Sequence, residues 1–169
     1  CTSNSNLSLA NVTISNNSTD SDGYGGGIYV NNSTIILNNI DLDNNISDHG
    51  GGIHFQNQCN AVLDNCYVIN NISSGHGGGI SIEDISNVTI NNSIISNNTS
   101  QSGYGGGIYC KNSSTSLKNL TISDNTANLE GGGIKYHNSL FEIIETIIKG
   151  NSANGPGGGI VINEDSNGD

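Results

Sequence analysis

Apolar positions along this chain fall in short alternating runs, set off by asparagine, serine and aspartate. Residues 28–42 show the pattern: Ile28-Tyr29-Val30, then Ile35-Ile36-Leu37, then Ile40-Asp41-Leu42. The period-2 alternation and β-branched content predict strands. Strands of three residues cannot bury a face alone. Each needs an equivalent strand beside it, and the sequence supplies equivalents. Gly-Gly-Gly-Ile occurs six times, ending at Ile28, Ile53, Ile80, Ile108, Ile134 and Ile160, with spacings of 25, 27, 28, 26 and 26 residues. A period in this range indicates stacked structural units.

Aligned on that motif, three apolar columns emerge. Leu9, Leu37, Leu63, Ile90, Leu117 and Ile143 form one, and Ile14, Leu42, Val68, Ile95, Ile122 and Ile148 another. The third holds Val30, Phe55, Ile82, Cys110, Tyr136 and Ile162, while positions between the columns, such as Thr13, Asp41, Tyr67 and Thr121, are mixed and polar. The prediction is an all-β, single-stranded parallel β-helix with three short strands per coil and about six coils, one solenoid over residues 1–169. Parallel crossovers favour right-handed winding.

Asparagine marks the corners. Asn11, Asn39, Asn65, Asn92 and Asn119 precede the third strand, and Glu145 breaks the series. Asn17, Asn45, Asn71, Asn98, Asn125 and Asn151 follow it in every coil. Asparagine tolerates left-handed backbone angles, and stacked amides can hydrogen-bond along a column. The second series is therefore expected to be a structural ladder. The triple glycine supplies positive φ and removes side chains where backbones approach.

Paired Gly-Gly-x-Ile and apolar-x-x-Asn motifs, here Gly25 to Ile28 with Leu42-Asp43-Asn44-Asn45 and Gly50 to Ile53 with Val68-Ile69-Asn70-Asn71, resemble the repeats of chlamydial polymorphic outer-membrane proteins. That resemblance implies a right-handed β-helix displayed on a cell surface for adhesion. Two departures stand out. Glycine replaces the usual alanine in the third place of the first motif, and Ile, Leu or Val replaces phenylalanine before x-x-Asn.

Charge narrows the partners. The net charge is −11, with no arginine and only Lys111, Lys118, Lys135 and Lys149 as lysines. Phosphate recognition needs clustered Lys or Arg, so nucleic acid is not an expected partner. No apolar run is long enough for a membrane-spanning helix, so direct membrane insertion is not expected. No signal peptide opens the sequence, and the chain starts and stops partway through a repeat, as expected of a mature or excised segment. Cys1, Cys59, Cys66 and Cys110 have neither framework nor metal spacing.

Candidate chemistry is sparse. Glycosidases need two carboxylates flanking the scissile bond, yet the coils are near-uniform and their loops short. An enzyme is not expected, and neither a cofactor nor a metal site is. A column before the triple glycine, Tyr24, His49, His76 and Tyr104 followed by Glu130 and Pro156, is expected to form a stack. Its four rings are the candidate surface for docking sugars. There are 14 Asn-x-Ser/Thr sequons. Ladder positions such as Asn45 and Asn71 are expected to be tied up. Asn31, Asn32 and Asn112, in the loop after the first strand, are expected to be exposed acceptors, with Asn6 and Asn91 as further candidates. The expected function is a secreted or cell-surface structural protein. It would be a rigid shaft or fibre subunit, glycosylated, stacking head to tail with copies of itself or with flanking repeats. A glycan-binding adhesin is the first alternative and a polysaccharide-active enzyme the second.

Overall fold

A computed structural model describes residues 4–164. They form 21 strands, and no helix occurs among the described residues. Every strand pairing is parallel and joins residues one coil apart. The first strands, Ile28–Asn31, Ile53–Gln56, Ile80–Glu83, Ile108–Lys111, Ile134–His137 and Ile160–Asn163, make a six-stranded sheet. In the two leading coils the second and third strands run on as one, Asn6–Ser15 and Thr34–Asp43. Later coils separate them, as in Asn60–Asp64 and Tyr67–Ile69.

Beside the three expected ladders stands a fourth. It is built of two-residue strands, Ile46–Ser47, Ile72–Ser73, Thr99–Ser100, Thr126–Ala127 and Ser152–Ala153, ordered as one sheet. Its inward residue is serine or alanine, buried at Ser47, Ser73, Ser100 and Ala127. Small side chains bring this ladder close to the triple-glycine corner.

Register follows the apolar columns. Leu37 pairs with Leu9 and Leu63, Leu42 with Ile14 and Val68, and Phe55 with Val30 and Ile82. In the inner coils these side chains are fully buried, as at Leu63, Ile82, Ile90, Ile95 and Ile122. Burying one such aliphatic side chain is worth about 1.5–3 kcal/mol, so the columns supply the main driving force for stacking. At the last coil the same columns open: Ile162 is 55% exposed where Ile82 and Cys110 are 0%. Cys59, Cys66 and Cys110 are buried free thiols, and Cys1 lies outside the described residues. Burial raises the Cys110 thiol to about 12, so it packs as a small apolar group.

The corners turn on left-handed residues. Between second and third strands these are Asn11, Asn39, Asn65, Asn92, Asn119 and Glu145, all at φ between 49° and 57°. Glu145 breaks the asparagine series but keeps its backbone conformation. After the third strand the left-handed residue is Asn16, Asn44, Asn70, Asn97, Asp124 or Gly150, one position before the ladder asparagine.

Candidate functional site

The strip along the triple-glycine corner is the densest collection of chemistry-bearing side chains. The first glycine of each triplet sits at positive φ, 63° at Gly25 and 64° at Gly77. That angle folds the preceding residue back towards the outward residue of the first strand. Tyr24 consequently stacks on Tyr29, at 5.9 Å between ring centroids, and Tyr104 on Tyr109 at 6.2 Å.

All four predicted rings come together. Tyr24 and His49 are bridged by backbone pairing, with centroids 5.6 Å apart. His49 meets His76 edge-on at 4.9 Å, and His76 stacks on Tyr104 at 5.0 Å. The next coil caps Tyr104 with Lys135, whose Nζ lies 5.5 Å from the ring centroid, within cation–π range. The column is thus self-packed, its rings turned largely towards one another along the axis.

A second column, unnoticed in the sequence, lies beneath the first: Tyr29, His54, Ser81, Tyr109 and Lys135, aligned by strand register. The signal was present. The residue before the triple glycine and the one five positions on match in kind, as Tyr24 with Tyr29, His49 with His54, and Tyr104 with Tyr109. Glu130 and Lys135 match in opposite charge, and their side chains bond at 2.6 Å with Lys135 buried.

Electrostatics inside the strip favour neutral imidazoles at His54 and His76. His54 is 1% exposed and neither ring nitrogen has a hydrogen-bond partner. Burial lowers its pKa to about 4, with His49 adding to the effect and Glu83 opposing it. Burial likewise lowers His76 to about 4. Its Nδ1 accepts the Tyr104 backbone N–H at 3.1 Å, a role only an unprotonated nitrogen can fill. Glu83 receives Ser81 Oγ at 2.8 Å and lies 3.3 Å from His49 Nδ1. Burial pulls its carboxyl upward, but these hydrogen bonds and the neighbouring imidazoles outweigh it and hold the pKa at about 2. Among the described residues, no group of three or more His, Cys, Asp or Glu is arranged to hold a metal ion.

The asparagine series after the third strand forms a continuous amide ladder. Nδ2 of Asn17, Asn45, Asn71, Asn98 and Asn125 donates to Oδ1 of the next member at 2.9–3.1 Å, ending on Asn151. Each of those oxygens also accepts the preceding asparagine's backbone N–H. From Asn45 onward, Nδ2 donates as well to a third-strand carbonyl, Ile14, Leu42, Val68, Ile95 or Ile122. Every polar atom of the inner amides is satisfied, and Asn45, Asn71, Asn98 and Asn125 are fully buried.

The candidate acceptors divide. Asn6, Asn32 and Asn112 are exposed and Asn91 is half-buried. Asn31, expected to be exposed, is half-buried instead. Its Nδ2 donates to Tyr29 Oη at 2.7 Å and its Oδ1 accepts from Asn57, because the outward face of the first strand is covered by the ring columns.

Parallel ladders, one-coil register and a column-filled core are the geometry of a β-helix. A family model described as the right-handed β-helix region matches residues 1–168. The chain belongs to that family. Within the right-handed β-helix the ring strip runs parallel to the axis at one corner, and the amide ladder runs inside the next. No curated protein and no solved structure matches the chain.

Proposed function

We propose that this right-handed β-helix is a structural segment of an extracellular surface. It is a rigid shaft that stacks end to end with further repeats of its own kind and carries N-linked glycans. One observation carries the reading: the interior polar groups are committed to propagating the coil. The amide ladder, the triple-glycine corner and the apolar columns recur in register. Such an interior resists bending and can be lengthened without redesign. In this reading the chain is not an enzyme and needs no cofactor. The abundance of sequons and the resemblance to chlamydial passenger repeats support the extracellular location.

Coil-on-coil contact supports stacking. Ile108 and Cys110, with a coil on either side, are 0% exposed, and a further coil of the same cross-section pairs strand to strand in the same register. Such a contact is heterologous and propagates as an open rod. Electron microscopy of material from the native source tests this. Rods longer than the ~29 Å expected of six coils at ~4.8 Å each are the predicted outcome. Discrete particles no longer than six coils would overturn it.

A further inference from the structure

At the corner between the first and second strands, three successive coils line an open recess of about 620 Å³ around Asn112. That is within the roughly 300–1,000 Å³ range of small-ligand sites. Its walls include Leu140 and Ile85, the latter 72% exposed although coils lie on both sides of it. Both are tied to the same turn. Ile85 N–H donates to the Asn112 carbonyl at 2.9 Å, and Leu140 N–H donates to the Ser113 carbonyl at 3.0 Å. Ile85 also sits at φ 63°, an outlier for a β-branched residue of the kind that collects at functional positions. The left-handed residue at the same corner of the preceding coil is the polar Gln58.

Asn112 opens the sequon Asn112-Ser113-Ser114 and is exposed. Its Oδ1 accepts from Asn138 Nδ2 at 2.9 Å, which fixes the amide plane. Its own Nδ2 donates to nothing among the described residues. The contrast with the sequons whose amides are laddered is sharp. Asn45, Asn71 and Asn98 are buried with Nδ2 committed twice, and Nδ2 of Asn119 is bonded to Asn92. A glycan on any of these would break the fold's own bonds.

We infer that Asn112 is an occupied N-glycan acceptor whose first sugars lie in the recess, covering Ile85 with the apolar faces of their rings. This rests on the glycoprotein reading above and adds to it the site and what the glycan covers. In the transfer, the donor is a lipid-linked oligosaccharide phosphate. The bond from sugar C1 to the phosphate oxygen breaks and a bond from C1 to Asn112 Nδ2 forms. Nδ2 loses one proton to a base, and the phosphate leaves with the electron pair. The sugars then supply cover for Ile85, an apolar side chain that the flanking coils leave in water.

Enzymatic glycan removal in heavy-oxygen water, applied to protein from its native source, marks each former acceptor as labelled aspartate for peptide mapping. Lys111 and Lys118 bracket a segment whose sole asparagine is Asn112, so that peptide reports one site. Label on Asn112 in the majority of molecules, with none on Asn45, Asn71 or Asn98, is expected. Label at exposed sequons such as Asn32 but not at Asn112 overturns this inference and leaves the glycoprotein reading standing. No label anywhere overturns both. In parallel, glycan removal should raise the fluorescence of an apolar dye, and Ile85→Gln, the residue type at the equivalent position Gln58, should abolish the rise. An unchanged dye signal with Asn112 occupied overturns the covering role.

Discussion

At the residue scale, the fold depends on side chains that satisfy several backbone and amide groups at once. The Asn98 side chain makes four bonds. Its Nδ2 donates to Val68 O and Asn125 Oδ1, and its Oδ1 accepts both the N–H and the side-chain amide of Asn71. Asn98→Ala strands these partners in a buried corner, where each unsatisfied group costs about 1–3 kcal/mol. The variant should therefore lose at least about 1–3 kcal/mol in urea unfolding. Asn128→Ala, exposed and accepting one bond from Asn154, should stay within about 0.5 kcal/mol. Equal midpoints for the two would refute the ladder's role. The repeat made this ladder legible, because an asparagine recurs there in every coil. What it did not reveal is the division of labour at the corner. The left-handed angle falls on Asn44, Asn70 or Asn97, leaving Asn45, Asn71 or Asn98 free to ladder. Adjacent asparagines look alike in sequence, and only backbone geometry separates their tasks.

At the element scale, the three strands with apolar alternation were readable and the fourth was not. Strands such as Thr99–Ser100 and Thr126–Ala127 are too short and too polar to alternate. They exist because the triple glycine lets two backbones meet there. The three glycines serve two purposes. Gly105 sits at φ 64°, whereas a Cβ on Gly106 would lie 2.5 Å from Gly132 O and from the Thr126 backbone. Gly106→Ala therefore overpacks a backbone-to-backbone contact that has no flexible side chain to yield, and overpacking of this kind typically costs 1–3 kcal/mol. A loss of about 1–3 kcal/mol is expected in thermal or urea unfolding. A variant as stable as wild type would show that the fourth ladder can move away from the glycine corner. The ring strip was half legible for a similar reason. Tyr24, His49, His76 and Tyr104 stand beside a conspicuous motif, while His54 and Tyr109 look like ordinary strand residues until the corner folds over them.

At the scale of the whole molecule, the ring strip makes stability depend on pH, because two of its imidazoles, His54 and His76, are held neutral by burial. His54 faces Tyr24, Tyr29 and His49, with Glu83 and Asp84 nearby. His76 faces His49, Tyr104 and Tyr109, with Glu83, Asp48 and Lys111 nearby. Both histidines have folded pKa values of about 4 against an ordinary 6.5. The unfolded chain therefore takes up protons between those values while the folded chain does not, so stability rises with pH across that window. Their contribution is complete above about 6.5 and lost as pH falls to about 4. Glu83 acts in the same direction but lower, its share being present above 4.5 and lost as pH falls through about 2. The urea midpoint should thus fall between pH 6.5 and 4.5 through the histidines, and keep falling below that as Glu83 joins. His54→Phe keeps a ring in the stack and removes one titrating group, so it should flatten the upper part of the profile. The coils share one continuous core, so the loss should appear in global unfolding and not only in local opening near the strip. A midpoint that holds level from pH 6.5 to 4.5 in the wild type would mean that His54 and His76 protonate within the folded stack. The burial argument for their neutrality would then fail.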